Sequence, residues 1–316
     1  MRAVRVARFG GPEVLEVVEV PEPAAGAGEV LIDVEAAEVL FLDTQLRAGW
    51  GQEYFKLEPP IVLGAGVAGV VRSVGAGVDG GLVGRRVIAG TAGVGAYDGG
   101  GYAEQSVVPA SEVFPVPGGL ELTTALAALH DGATALSQLD LATVSAGERV
   151  LITAAAGSLG SWLIPLLSAT GATVVAAARG AAKLERAREL GAHETVDYSV
   201  AGWSDGLEGV DVVFDGAGGE IGRAAYAITR PGGRFLGYGA ASGDFAGADH
   251  RDDVTVVGIY QPDPVAWREL PRRALQLLAD RSLTPLIGQT FPLAEAAAAH
   301  AAIDSRATVG KTLLIV

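Results

Sequence analysis

The chain has 316 residues, a length at which a single hydrophobic core usually gives way to two. Hydrophobic residues make up 49% and charged residues 19%, which suits a globular protein with a sizeable core. The lack of cysteine excludes a disulfide framework, a thiolate nucleophile and cysteine-ligated zinc, and a formal charge of −14 disfavours nucleic acid as a partner. No apolar run reaches the roughly 18 residues of a membrane span, and the basic start MRAVRVARFGG is not followed by a signal-type apolar core. A cytoplasmic protein with no membrane partner is expected.

Residues 1–115 read as short strands at 3–7, 15–19, 30–36, 69–74, 86–89 and 103–108, broken up by glycine and proline. That spacing predicts a β-rich, barrel-like domain rather than βαβ units. One helix interrupts it at 40–48, where Phe41, Thr44 and Gln45 share a face by i, i+3, i+4 spacing. Pro59-Pro60 and Asp98-Gly99-Gly100-Gly101 are its clearest loops.

The character changes at a helix-compatible run, 123–139, and then comes VLITAAAGSLG at 150–160. An apolar strand there enters a glycine-bearing turn and continues as an apolar helix, the order of a nucleotide-binding corner whose backbone N–H groups face a diphosphate. The first glycines of the usual G-x-G-x-x-G are alanines here, so Ala156, Gly157, Ser158 and Leu159 are the expected contacts; an ordinary tight αβ turn is the competing reading. Strands at 173–178, 194–197, 211–215, 234–238 and 254–259 then alternate with helices at 181–190, 221–229 and 264–280, which predicts a doubly wound parallel sheet. Pro165 inside the corner helix predicts a kink. The remainder, with a helix at 293–303 and a strand at 311–316, is too small for its own core and is expected to rejoin the first domain. The fold class is therefore α/β, with one domain over 1–118 and 281–316 and a Rossmann dinucleotide-binding domain over 119–280.

A domain that selects NAD carries an acid at the end of its second strand, to bind a ribose hydroxyl. Here the strand ends Ala176-Ala177-Ala178-Arg179 and Lys183 follows, two cations suited to a 2′-phosphate, with Tyr198 as a further hydroxyl donor. This predicts NADPH; on the alternative reading Arg179 and Lys183 are solvated residues of a helix start.

The β-rich first domain, the AAxGxxG-type corner, the basic residues beyond it and the stretch Gly310-Lys311-Thr312-Leu313-Leu314 together resemble the zinc-independent quinone oxidoreductase branch of the medium-chain dehydrogenase/reductase superfamily. Val39-Leu40-Phe41-Leu42-Asp43-Thr44 followed by Arg47-Ala48-Gly49 is similar to that family's NFxDxxxRxG segment, and Gly132-Ala133-Thr134-Ala135 to its GxTA segment. The resemblance implies a GroES-like first domain and an NADPH-dependent transfer of hydride to a small apolar acceptor, a quinone or an α,β-unsaturated carbonyl. It also implies that Thr134 approaches the nicotinamide half of the cofactor, and that Gly216-Ala217, Tyr238-Gly239 and Ile259-Tyr260-Gln261 line the rest of its path. Lys311 either touches the nicotinamide end or closes a β-turn. A homodimer is expected too, from the likeness and from the apolar edge candidate Val254-Thr255-Val256-Val257-Gly258-Ile259. The alternatives are a biosynthetic enoyl reductase or tailoring enzyme on the same fold, or a non-catalytic NADPH-binding sensor.

Zinc-dependent relatives carry a cysteine in the first segment and GHE in the next, where this chain reads Gly64-Ala65-Gly66, so no metal is expected. Leu40 and Gln45 stand where the quinone reductases usually place Asn and Tyr. An enone that takes hydride at one carbon needs a proton at the next, and His130, followed by Asp131, is a candidate donor; structurally the two would simply end a helix turn. Gln45 and Tyr54 are rival donors. Asp43 is expected to be a structural hydrogen-bonding residue, and Tyr102 to pack.

Overall fold

The computed structural model describes residues 1–91, 100–247, 251–258 and 263–316. Asp98 and Gly99 of the expected glycine-rich loop lie outside these residues. Strand β1 (Arg2–Val6) pairs antiparallel with β2 (Leu15–Glu19), and β3 (Glu29–Val39) follows as the longest strand. Helix α1 (Phe41–Ala48) stops at Gly49, whose φ of 91° lies in the left-handed region that glycine adopts without penalty. A short α2 (Gln52–Phe55) leads to β4 (Ile61–Val62), β5 (Gly66–Val74), β6 (Arg86–Gly90), β7 (Gln105–Pro109) and β8 (Val113–Pro115). Val30, Ile32, Val67, Val71 and Val87 on these strands are buried in one apolar cluster, the alternating pattern of a sheet that covers its own core.

The run expected as one helix over 123–139 is three pieces. α3 (Leu122–Leu126) is followed by a π-helical turn, Ala128–Gly132, and then α4 (Ala133–Ala142). Strands β9 (Arg149–Ile152), β10 (Thr173–Ala178), β11 (Glu194–Asp197), β12 (Val210–Asp215), β13 (Thr229–Gly237) and β14 (Thr255–Val257) alternate with α5 (Ser158–Ala169), α6 (Ala181–Glu189) and α7 (Gly219–Ala227), and α8 (Pro264–Ala279) leads out. The order β11-β10-β9-β12-β13-β14 is wholly parallel and reverses direction between β9 and β12. Such a reversal opens a crevice beyond the carboxyl ends of the strands, where ligands bind. α5 runs on through Pro165. β13 begins earlier than expected, and its pairing with β12 slips between Val210 and Val212, opposite the Pro231-Gly232-Gly233 turn signal.

After α8 the chain forms β15 (Ile287–Pro292), α9 (Ala296–Asp304) and β16 (Lys311–Ile315). β16 lies between β15 and β3, so the tail joins the first sheet. Two units result, Met1–His130 with Pro271–Val316, and Asp131–Leu270. The sequence-based limits at 118 and 280 divide the chain differently. α3 packs on β3, β5 and β6, and the Arg272 guanidinium lies 5.2 Å from the centroid of the Phe114 ring, so both stretches belong to the first unit. Among the described residues no helix is long and apolar enough to cross a membrane.

Candidate active site

In the second unit the corner after β9 sits at the β9/β12 reversal. Ala154 takes a left-handed φ of 53°, and Gly157, extended at φ −77° and ψ −179°, precedes the first turn of α5. The two glycines do different work. A Cβ on Gly160 would collide with the Ala155 carbonyl, which fixes that glycine by packing, whereas one on Gly157 would meet only the Ala154 oxygen, at 3.2 Å. Gly157 therefore keeps open the approach to the first-turn N–H groups of α5, whose dipole favours an anion.

The neighbouring loop is tied to the same corner. Thr153 Oγ1 donates to Asp215 Oδ1 at 2.5 Å and accepts from Gly216 and Ala217 N–H at 3.1 and 3.0 Å. Asp215 also accepts from Ala217 and Gly218, and its backbone oxygen from Tyr238 and Gly239. Burial raises its carboxyl above the usual range, although these hydrogen bonds pull the other way. A Cβ on Gly216 would come within 2.7 Å of the Tyr238 hydroxyl. Ala156, Gly157, Ser158, Leu159, Gly216, Ala217, Tyr238 and Gly239 thus all follow the carboxyl ends of three adjacent strands, β9, β12 and β13.

The remaining cofactor candidates extend this edge. Arg179, exposed, follows β10; Lys183 is half-buried in α6; Tyr198 follows β11. Asp197, which sequence reasoning overlooked, accepts the Gly180 N–H at 3.0 Å and is held below the usual carboxylate range by Ser199, with the Arg179 charge contributing. A carboxylate from the next strand therefore ties down the turn after β10. Thr134 lies half-buried at the start of α4. Tyr260 lies outside the described residues, as do Ile259 and Gln261.

The first unit holds a group of three ionisable side chains. Glu38 of β3 is completely buried, with Oε1 against His130 Nδ1 and Oε2 accepting from Lys311 Nζ. Burial opposes its ionisation, but the charges of His130 and Lys311 and their hydrogen bonds outweigh that and hold the carboxyl down at about 2. Lys311 is 1% exposed, so it neither closes a surface turn nor points into solvent. A Cβ on Gly66 would collide with Glu38 and Leu129, so the Gly64-Ala65-Gly66 stretch makes the room that Glu38 fills. Of the expected donors, His130 enters this group, whereas Gln45 gives its amide to Thr44 Oγ1 at 3.3 Å and Tyr54 is 73% exposed on α2. Glu38 escaped sequence reasoning because its partners lie 92 and 273 residues further along.

A second buried network braces α1. Arg47 Nη1 lies 3.4 Å from His300 Nδ1, His300 Nε2 3.0 Å from the Tyr102 hydroxyl, and that hydroxyl donates to Asp43 Oδ2 at 3.3 Å. Arg47, always protonated, can only donate, so the sequence of donors is consistent with a neutral His300 that carries its proton on Nε2. Asp43 also accepts the Leu40 N–H, at 2.8 Å, and Arg47 pairs with Asp304 at 2.9 Å. Asp43 enters the hydrogen-bond network expected of it, and Tyr102 does more than pack.

Residues 26–118 match the family model described as the alcohol dehydrogenase GroES-like domain, and residues 190–314 the one described as zinc-binding dehydrogenase. The chain is 34% identical to a 2-haloacrylate reductase of a Burkholderia species, over 99% of this chain and 98% of that protein. It is 30% identical to a quinone oxidoreductase of Pseudomonas aeruginosa, over 99% of each. Among solved structures, the Escherichia coli quinone oxidoreductase complexed with NADPH covers the whole of both chains at a TM-score of 0.88 and 26% identity. The quinone oxidoreductase of Thermus thermophilus, also solved as its NADPH complex, covers the whole of both chains at a TM-score of 0.83 and 33% identity.

The zinc in the second family description does not suit the side chains present. The sequence has no cysteine, and the buried carboxylate beside Gly66 already holds an ammonium and an imidazole. Among the described residues no three His, Asp or Glu side chains are grouped to hold a metal. The dinucleotide fits better: the strand-end corner offers unblocked backbone donors at Gly157.

Proposed function

Because this chain belongs to the medium-chain dehydrogenase/reductase superfamily, in its quinone oxidoreductase-like branch, we propose that it is an NADPH-dependent oxidoreductase that reduces a conjugated carbonyl, either a quinone or an α,β-unsaturated ketone, acid or thioester. The observation that carries this reading is the β9/β12 reversal, where Thr153 and Asp215 lock the 216–218 loop beside a helix start left open by Gly157. When bound, the dinucleotide would supply hydride from its nicotinamide ring. The first turn of α5 would hold the diphosphate, Gly216-Ala217 and Tyr238-Gly239 would flank it, and Arg179 with Lys183 would meet the 2′-phosphate. Thr134 would lie toward the nicotinamide half, as the family likeness implies. The likeness to a 2-haloacrylate reductase favours a conjugated carbon–carbon double bond among the acceptors to be tried.

The test is steady-state oxidation of NADPH and of NADH with a panel of quinones, enones and unsaturated acids. Turnover preferring NADPH supports the reading. Tight NADPH binding without turnover on any acceptor would favour a cofactor-binding sensor instead, and failure to bind NADPH would refute the assignment altogether.

A further inference from the structure

We propose that Thr153 and Asp215 are positioning residues for the dinucleotide, that Asp215 serves as the carboxylate, and that cofactor binding in this protein is therefore linked to one proton. The assignment rests on the dinucleotide reading above and involves only residues of the second unit.

Asp215 ends β12 and is 1% exposed. Among the described residues its carboxyl is met by donors alone: the Thr153 hydroxyl and the Ala217 and Gly218 N–H groups on Oδ1, and the Gly218 N–H again on Oδ2, at 3.2 Å. An ionised carboxylate suits such surroundings because it only accepts. A protonated one would turn a hydrogen toward neighbours that have hydrogens of their own to give. Gly222 of α7 makes the room, since a Cβ there would lie 2.3 Å from Oδ2.

The polar backbone of the 216–218 loop is occupied on both sides. The Gly216 and Ala217 N–H groups face Thr153 and Asp215, while the Gly216 oxygen accepts from Ala241 at 3.2 Å and the Ala217 oxygen from Ser242 at 2.7 Å. Gly218, at a φ of 68°, admits no side chain, because a Cβ would lie 2.0 Å from the Asp244 oxygen. The main-chain oxygen of Asp215 takes the Tyr238 and Gly239 N–H groups. One residue thus fixes two loops, the first through its side chain and the second through its backbone. These loops flank the dinucleotide in the reading above, and a ligand that packs on both binds most tightly when neither has to be ordered first.

A proton on Asp215 would weaken this brace. Burial raises its carboxyl above the ordinary range, and the Thr153, Gly218 and Ala217 donors oppose that rise. Of the titratable groups on the elements around it, the Tyr238 phenol at the end of β13 is pushed up by burial and by the Asp215 charge, with Tyr198 beyond it. Glu220 and Arg223 of α7 pair with each other at 2.7 Å, and Asp244 accepts the N–H of its neighbour Phe245. Below the raised pKa the free protein holds the proton and the dinucleotide must displace it. Kd therefore rises as pH falls, by up to about tenfold per pH unit, the limit for one proton; above that pKa the affinity has its full value.

The test is titration calorimetry with NADP⁺ from about pH 4 to 8, a range that spans a carboxyl raised from its ordinary value. The 2′-phosphate titrates alike in every protein compared, so differences between them isolate residues 153 and 215. Asp215→Asn should bind NADP⁺ on the order of tenfold more weakly at pH 8, the scale of a disturbed buried hydrogen bond, and should lack the wild-type rise in Kd at acid pH. Thr153→Val, which keeps the shape and removes the hydroxyl, should weaken binding likewise and move the acid rise to higher pH, because Asp215 has lost a donor that favours its anion. Thr153→Ser should restore both, and the two Thr153 variants carry the test should Asp215→Asn fold poorly. Wild-type affinity in Asp215→Asn or Thr153→Val, an acid rise no larger in wild type than in Asp215→Asn, or a loss in Thr153→Ser as large as in Thr153→Val would overturn the assignment alone. So would a wild type that gains on Asp215→Asn as pH falls, the sign of repulsion between the carboxylate and the diphosphate. A wild type that binds neither NADP⁺ nor NADPH would overturn the dinucleotide reading and this assignment with it.

Discussion

Tyr102 donates its hydroxyl hydrogen to Asp43 Oδ2 and accepts one from His300, joining α1 to α9 through a wholly buried phenol. Burial pushes the Asp43 carboxyl up to about 7 and, with the Arg47 charge, pushes His300 down to about 3. The two act on stability with opposite signs. Folded Asp43 holds its proton more tightly than the unfolded chain, so its contribution falls as pH rises from 3.8 to about 7. His300 is protonated more readily when unfolded, so its contribution rises with pH from about 3 to 6.5. Asp43→Asn removes only the falling component and keeps an oxygen for the Leu40 N–H. The Tm of this variant should therefore climb more steeply than that of wild type between about pH 4 and 6.5, read by thermal melts at constant ionic strength; parallel curves would show that Asp43 is ionised in the native state.

Cofactor choice is expected to depend on Arg179 and Lys183 against Asp197. The double change Arg179→Ala, Lys183→Ala should weaken NADPH by about tenfold or more and NADH hardly at all, because only the 2′-phosphate needs charge-assisted partners. Asp197→Asn should act in reverse and tighten NADPH, since it keeps an acceptor for the Gly180 N–H while removing the negative charge that offsets Arg179. Titration calorimetry with both dinucleotides gives the answer, and equal losses for the two would refute the 2′-phosphate role.

Leu40 offers a test of acceptor selection. Its N–H is fixed by Asp43 at 2.8 Å, so Leu40→Asn changes the side chain without freeing the backbone. Leu40 is half-buried, and an amide there that an apolar acceptor covers without pairing costs up to about 1 to 3 kcal/mol, so apolar enones should lose most in kcat/KM and hydrogen-bonding quinones least, with NADPH affinity unchanged. Equal losses on both acceptors with collapsed NADPH binding would assign Leu40 to the fold.

A dimer, if it forms as expected from the sequence, should pair through β14. It pairs with β13 on one side, and Val256 is 51% exposed at the end of the sheet order. An apolar edge of this kind invites a symmetry-related strand. Light scattering should show a dimer at micromolar concentration and a monomer for Val256→Lys, which places a charge on that edge; a monomeric wild type would refute it.

Much of the second unit was legible in the sequence because its contacts are local. Strands at 173–178 and 194–197 were bounded correctly by glycine and by the helices between them, and their order follows from the βαβ rule. The helix over 123–139 was not, because a π-helical turn changes the period without any breaker residue to announce it. The buried polar groups were hardest. Lys311 reads as a turn or ligand residue in sequence, and nothing near it points to Glu38. Tyr102 likewise gives no sign of His300, 198 residues away. Asp197 was missed because it reaches the β10 turn from the strand alongside rather than from β10 itself.

The pairing of Glu38 with Lys311 also bears on the order in which the protein matures during synthesis. A nascent chain that has exposed β3 must wait for the whole of Asp131–Leu270 to be translated before β16 arrives to seat beside it. Until then Glu38 has only His130 opposite it and no ammonium on Oε2, and enclosing a carboxylate that lacks a charged partner is costly. The second unit is contiguous and carries no such debt, so on the ribosome it can close first while the earlier-made β-rich unit stays open, a reversal of the usual N-terminal-first order.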